Sequence, residues 1–154
     1  GRFNAARMNL AQLYYSQQQL DKAEQLYRTV IDQEPQASEA HYSLGLLMAE
    51  KGDYKEAASA LKQAAINGNN PRAWYNLAIL YQQSGQSMLA EQAYLKALEL
   101  RPKDAQFING LVSLYGQQQR WFKAKKLIDR ALTDDPANRH LLQLKGAVEK
   151  RLGN

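Results

Sequence analysis

The chain repeats itself with a period of 33 or 34 residues. The stretch AHYSLGLLMAEKGD, residues 40–53, recurs 33 residues later as AWYNLAILYQQSGQ, residues 73–86, with small or apolar residues at matching places. A period of this size indicates stacked supersecondary units, none of which can bury its apolar face alone. Extending the phase in both directions gives four units of 34, 33, 34 and 34 residues, namely 4–37, 38–70, 71–104 and 105–138.

Each unit contains a first segment in which apolar residues follow a helical spacing. We number the first residue of every unit as position 1. Positions 7, 8, 10 and 11 hold apolar or small residues in all four units, which predicts one buried face on a first helix, called helix A. In the first unit we therefore expect Leu10 and Leu13, at positions 7 and 10, to be buried.

A second helix, called helix B, is predicted in the other half of each unit. Positions 20, 24 and 27 are apolar or small and again have helical spacing. Alanine at position 20 of every unit indicates that two helices approach closely there, because a larger side chain would overpack the contact. These alanines are Ala23, Ala57, Ala90 and Ala124.

Turn-forming residues separate the predicted helices. Position 15, between helix A and helix B, is Gly52 in the second unit and Gly85 in the third. Gln18 and Gln119 replace this glycine in the first and fourth units. Proline cannot continue a helix, and it follows helix B in three units as Pro35, Pro102 and Pro136.

The second unit departs from this pattern. It is one residue shorter than the others and has no proline after its helix B. We expect Gly68 to end that helix and Asn70 to cap the next one, with Pro71 at its first position. The shorter unit should change the array locally without breaking it.

The third unit carries the pattern of a known repeat family. Its sequence AWYNLAILYQQSGQ…AEQAYLKALELRP presents Trp, Leu, a small residue, Tyr, Gly, Ala, Tyr, Ala and Pro in order. This resembles the tetratricopeptide repeat (TPR) family, and the resemblance covers residues 4–138. It implies an all-α fold, a right-handed superhelical array of antiparallel helix pairs (an α-solenoid), in a single domain of residues 1–154. It also implies a concave groove that binds a segment of a partner protein.

The remaining segment, residues 139–152, matches only a helix A. It has Gly146 at position 8 but Lys145 where leucine is expected. The segment is either a C-terminal capping helix, which the exposed end of an array requires, or the first half of a truncated fifth repeat. On the sequence alone we favour the capping helix.

The net charge of +5 is concentrated at one end of the chain. Residues 120–154 hold 9 Lys or Arg against 4 Asp or Glu, whereas residues 1–119 hold 11 of each. A basic end can attract nucleic acid. The lysines of the last helix B lie at mixed helical positions, however, as on a solvated face. We therefore do not expect a nucleic-acid partner.

Composition limits the chemistry further. The chain has no cysteine, which excludes disulfides, thiolate zinc sites and cysteine nucleophiles. No apolar run approaches the roughly 18 residues of a membrane span, so we expect no membrane insertion. Cytoplasmic and periplasmic locations are both compatible with these features, so the compartment stays open. Because the sequence starts at Gly1 and not at methionine, we expect a piece of a longer protein.

No catalytic or metal-binding motif is present in the sequence. Position 4 of the second unit is His41, and we expect a packing residue there because tryptophan stands at that position in the third unit. His140 is too distant in the sequence to suggest a shared metal site with His41. The sequence contains no phosphate-binding glycine loop, zinc-protease motif or serine-hydrolase motif. We expect no enzyme activity and no cofactor.

Helical geometry predicts which side chains face the groove. If positions 4, 7, 8 and 11 face the partner helix, positions 2, 5, 9 and 12 lie roughly 100° around the same cylinder. In the central units these positions form an apolar patch, a feature that marks interaction sites. We expect its aromatic and aliphatic residues to anchor a partner segment, with neighbouring amides bonding to its backbone. The predicted groove residues are Met8, Gln12, Tyr42, Leu46, Arg72, Tyr75, Asn76, Ile79 and Asn109.

These observations predict a non-catalytic scaffold that binds a protein or peptide partner. A structural or oligomerising segment of a larger enzyme or assembly, which would self-associate, is the alternative. A nucleic-acid binder is the third hypothesis and has the weakest support, because it would need basic and aromatic residues together in the groove.

Overall fold

The computed structural model describes residues 2–153, and all regular structure among them is helical. Short turns connect consecutive helices, and no strand occurs in this range. The fold is an all-α helical repeat array, as the sequence predicts. The helices are α1 (Arg2–Ser16), α2 (Leu20–Gln33), α3 (Ser38–Glu50), α4 (Tyr54–Gly68), α5 (Pro71–Gln83), α6 (Ser87–Leu100), α7 (Ala105–Gln117), α8 (Trp121–Asp134) and α9 (Arg139–Arg151).

Each helix packs mainly on its neighbours along the chain. The pairs α1–α2, α3–α4, α5–α6 and α7–α8 are hairpins of a helix A followed by a helix B. Each helix B also contacts the helix A that follows it, and α5 contacts α7 directly. The contact between α4 and α5 shows that the shorter second unit does not break the array. Helix α9 occupies the place of a fifth helix A and packs on α8.

The predicted close approach of helices at position 20 is confirmed. All four alanines at this position have 0% of their surface exposed. Helices α3 and α4 of the second unit also pack closely at Gly45, where a β-carbon would lie 2.7 Å from Cγ of Leu61. Real β-carbons essentially never approach so closely, so only glycine fits at this place without a shift of Leu61.

The helix-A pattern fails in the first unit. Leu10 is 42% exposed and Leu13 is 52% exposed, so the predicted burial of both residues is wrong. The corresponding Leu77 in the third unit is 1% exposed. The difference arises because α3, α5 and α7 each lie against a preceding helix B, whereas no described helix precedes α1.

The junction after the second unit has one feature that the sequence does not predict. Helix α4 ends at Gly68, as predicted, and the residue that follows, Asn69, is left-handed with φ of 49°. Glycine is needed at position 68 for another reason, since a β-carbon there would lie 2.0 Å from Oγ of Ser38. The cap is as predicted: Oδ1 of Asn70 accepts hydrogen bonds from the amides of Arg72 and Ala73, at 3.0 and 3.1 Å.

All four turns between helix A and helix B use a left-handed residue at position 15. Gly52 and Gly85 have φ of 84° and 76°, and Gln18 and Gln119 have φ of 60° and 57°. The two glutamines therefore keep the turn geometry although a side chain disfavours this conformation. The loss of glycine from the sequence pattern does not change the backbone.

Gln119→Gly should stabilise the protein by about 0.5–1 kcal/mol, because glycine adopts positive φ without the steric cost. The matched control is Gln118→Gly, since Gln118 has φ of −86° and gains nothing from glycine. Urea unfolding followed by circular dichroism measures both free energies of unfolding. Equal effects of the two changes would contradict the explanation.

Leu77→Ala should cost about 2–5 kcal/mol, because it removes a side chain that is only 1% exposed and leaves a cavity behind. Leu10→Ala is the matched control at the same position of the first unit. We expect it to cost less than about 1 kcal/mol, because much of its side chain is already in water. Equal losses in urea unfolding would show that α1 is covered in solution.

Candidate functional site

The side chains at positions 2, 5, 9 and 12 of the helices A define a surface that we call the A-face. A cavity of about 280 Å³ opens on it between the first and second units, and we call it the Tyr42 cavity. Three of the predicted groove residues, Gln12, Tyr42 and Leu46, line this cavity together. Its other lining residues are Tyr15, Tyr27, Glu39 and Ser43.

The Tyr42 ring is held from two sides. It packs against the buried alanines Ala64, Ala65 and Ala73, which join the second unit to the third. Its hydroxyl accepts a hydrogen bond from Nδ2 of Asn76 at 3.2 Å. A ring fixed in this way loses little conformational freedom when a partner binds, which favours affinity.

The remaining walls of the cavity are apolar and acidic. Tyr27 is 2% exposed and Leu46 is partly buried, which makes these walls apolar. Glu39 is exposed at the rim. Glu50 accepts a hydrogen bond from the Tyr15 hydroxyl, and this bond, together with burial, raises the pKa of Tyr15 to about 12. No lysine or arginine lines the cavity.

Tyr75 and Ile79 lie at the equivalent places of the third unit, but both pack against the core. The Tyr75 ring stacks on Phe107, with centroids 5.0 Å apart and planes inclined by 29°. Its Cε2 atom would lie 3.2 Å from a β-carbon at Gly110. The structure therefore does not join Tyr75 and Ile79 to the Tyr42 cavity, and Tyr75 also holds the third and fourth units together.

The other predicted groove residues are scattered. Met8 differs from the prediction, because its side chain is only 8% exposed and belongs to the core of the first two units. Arg72 is exposed at the start of α5. Asn109 is partly buried, and its Oδ1 lies 2.8 Å from Nε2 of His140.

Several residues of the cavity escaped the sequence prediction. Tyr15 is at position 12 and Glu39 is at position 2, so the same helical geometry could have found both. Ser43 stands at position 6, which is also the position of the predicted Asn76 in the third unit, so the repeat could have found it as well. His140, which contacts Asn109 and does not line the cavity, stands at position 2 of α9. The sequence prediction does not include it, because a capping helix has no A-face.

A repeated contact links neighbouring helices A along this face. The residue at position 12 of one unit bonds to the residue at position 13 of the next. Tyr15 contacts Glu50 in this way, and Nε2 of Gln82 donates to Oε1 of Gln117 at 2.7 Å. The contact recurs with different side chains, so the register of the helices A is the same at both junctions.

Three further cavities, two of them larger than the Tyr42 cavity, lie away from the A-face, between successive helices B. One of about 430 Å³ is lined by Trp74 and Tyr81 of α5 and by Leu89 and Leu95 of α6. Others of about 420 and 270 Å³ occur at the two remaining junctions between units. Because one such opening lies at every junction, we attribute these cavities to the spacing of the helices B and not to a dedicated site.

Neither a metal-binding group of side chains nor a membrane-spanning helix is found among residues 2–153. No group of three or more His, Cys, Asp or Glu side chains in this range could hold a metal ion. His41 is a packing residue, as predicted: it is 9% exposed, and its Nε2 lies 2.8 Å from the carbonyl oxygen of Pro35. Within the same range, none of the helices has the length and apolar character needed to cross a membrane.

Comparison with known proteins points to one repeat family. Two tetratricopeptide repeat family models match the chain, over residues 8–73 and 71–104, and together cover more than half of it. A crystal structure of YrrB, "a TPR protein with an unusual peptide-binding site", has a TM-score of 0.75 at 22% identity, over 96% of this chain and 77% of that one. A crystal structure of MamA protein has a TM-score of 0.80 at 19% identity, over 97% and 82%. At these identities the likeness concerns the fold alone.

Curated relatives are longer and diverse. The general transcriptional corepressor ssn6 of Schizosaccharomyces pombe is 29% identical over 63% of this chain and 9% of its own length. Human protein O-mannosyl-transferase TMTC3 is 35% identical over 62% and 11%. Photosystem I assembly protein Ycf3 of Synechococcus elongatus is 30% identical over 66% and 57%. The chain thus spans less than two thirds of each of these relatives.

The packing of Tyr75 leads to a stability prediction. Tyr75→Ala should cost about 2–4 kcal/mol, because it removes the stack on Phe107 between two units. Leu46→Ala, at the Tyr42 cavity, should cost about 1 kcal/mol, since the side chain is only partly buried. Both values follow from urea unfolding. If Tyr75→Ala were the milder change, the contact with Phe107 would not hold the units together.

Proposed function

This chain belongs to the tetratricopeptide repeat family, and on that premise we propose that it is a non-catalytic scaffold that binds an extended segment of a protein partner on its A-face. The observation that carries the proposal is the Tyr42 cavity. It combines apolar walls, a fixed aromatic ring and exposed polar groups, which is the composition of a peptide-anchoring site. Its volume of about 280 Å³ suits one large apolar side chain.

The charges around the cavity favour a particular partner segment. Glu39 and Glu50 carry the acidic groups near it, and basic side chains are absent from its lining. A basic residue beside the anchor would therefore be attracted, and an acidic one repelled. We propose a segment in which an aliphatic or aromatic residue is followed or preceded by lysine or arginine.

Nucleic acid remains a poor candidate partner, because the basic residues of the last helices are partly neutralised. Arg120 and Lys123 form ion pairs with Glu91, at 2.8 and 3.3 Å. Lys125 and Lys145 both pair with Asp129, at 2.8 and 2.9 Å. These pairs, of which Lys125–Asp129 lies within α8, reduce the positive charge available to phosphates.

The relatives support a role inside a longer protein. The matched proteins are a corepressor, a mannosyl-transferase and an assembly protein, and the matched region is a part of each. We propose that the chain likewise supplies a binding surface to a longer polypeptide. The exposed Phe3 and Leu10 on α1, 79% and 42% exposed, favour the alternative of a structural or self-associating segment at that end.

Selection from a random peptide library displayed on phage tests the proposal. We expect the chain to select peptides with one large apolar residue next to Lys or Arg. Leu46→Asp should weaken their binding more than about tenfold, a loss of about 1.4 kcal/mol or more, in isothermal titration calorimetry. Circular dichroism checks that the variant remains folded.

Leu95→Asp is the matched control, because Leu95 is 47% exposed and lines the cavities between the helices B. It should leave peptide binding unchanged. Selection of no peptide, or a loss of binding with Leu95→Asp and not with Leu46→Asp, would contradict the proposal.

A further inference from the structure

Helix α9 has an uncovered face where every preceding helix A is covered. In the first and third units the position-8 residues Ala11 and Ala78 are 0% exposed, and Gly45 lies against Leu61 of α4. Gly146 stands at position 8 of α9, and no atom would lie within 4 Å of a β-carbon placed on it. Leu142, at position 4, is 47% exposed. The face that receives helix B in the other units is therefore open on α9.

The turn that leads from helix A to helix B is already formed after α9. Gly153 stands at position 15 and has φ of 85°, as Gly52 has φ of 84° in the second unit. The amide of Leu152 donates to the carbonyl of Val148 at 3.1 Å, as the position-14 amide of the second unit donates to its position-10 carbonyl at 3.0 Å. Positions 14 and 15 after α9 thus match those of the turn between helix A and helix B in the second unit.

The sequence after this turn also fits. In the second unit, Asp53 at position 16 caps α4 by accepting a hydrogen bond from the amide of Glu56 at 3.1 Å. Position 16 after α9 is Asn154, a residue type that is equally suited to cap a helix. Asn154 itself lies outside the described residues.

From these observations we infer that α9 and its turn are the first half of a fifth hairpin, and that the open face of α9 receives an antiparallel amphipathic helix that follows Gly153 in the same polypeptide. The inference replaces the capping-helix interpretation of residues 139–152. It is independent of the function proposed for the A-face. In the preceding units, helix B covers the face of helix A that is equivalent to the open face of α9. This is the evidence that a helix B covers α9 as well.

Docking of a second copy through α9 is disfavoured by charge. Helix α9 carries four basic residues against the single acid Glu149. Two such helices side by side would repel each other. Lys145 and Arg151 face α8, where they contact Asp129 at 2.9 Å and the Trp121 ring at 5.5 Å. Helix α9 is thus firmly packed on one side and open on the other.

The chain itself provides a helix for the test. The sequence YKEAASALKQAAING of α4, which packs against Gly45, is appended directly after Asn154. We expect the appended segment to become helical, the melting temperature to rise, and amide exchange in α9 to slow by about tenfold or more. The matched control carries Leu61→Asp in the appended copy only and should show none of these gains.

Gly146→Leu makes the test specific for the open face. In the unextended chain it should leave the melting temperature equal or higher, since space is open there and leucine favours helix more than glycine does. In the extended chain it should abolish the gain, because the helix can no longer approach.

Two results would overturn the inference. One is an appended helix that exchanges freely in the extended chain. The other is a gain that survives Gly146→Leu. Sedimentation should show a monomer, and docking that occurs only between chains of a dimer would contradict the same-polypeptide arrangement.

Discussion

The close approach of helix A to helix B at one alanine per unit is the constraint on which the array depends. Ala23, Ala57, Ala90 and Ala124 are fully buried, so each leaves room for the two helices to pack closely. Large side chains then join one unit to the next, as Phe107 does by stacking on Tyr75 of the preceding unit. Stability then comes from stacking, and the loss of a neighbour exposes a helix face, as at Leu10.

Much of the fold follows from the sequence because its signals are local. The spacing of apolar residues, the cap at Asn70 and the left-handed position 15 all depend on residues within one turn of each other. The features that the sequence does not predict depend on contacts with neighbouring helices. Leu10 has the residue type of a core position, and only the absence of a covering helix among the described residues leaves it exposed. Gly68 ends its helix as predicted, but its close contact with Ser38 of α3 has no signal in the local sequence.

The candidate site was only partly predictable for the same reason. Helical geometry placed Gln12, Tyr42 and Leu46 on one surface, and the structure joins them in one cavity. The same geometry treats Tyr42 and Tyr75 as equivalent, since both stand at position 5. The two tyrosines differ in the residues that pack against them. Tyr42 packs on small alanines and lines a cavity, whereas Tyr75 stacks on Phe107 of the next unit.

We propose that the A-face, and not the surface of the helices B, is the surface that binds a partner. Methyl NMR of leucine-labelled protein, titrated with a peptide that it binds, tests this claim most directly. The methyl signals of Leu46 should shift with the fraction bound, and those of Leu95, on the helix-B side, should stay in place. Shifts at Leu95 with Leu46 unchanged would contradict the account.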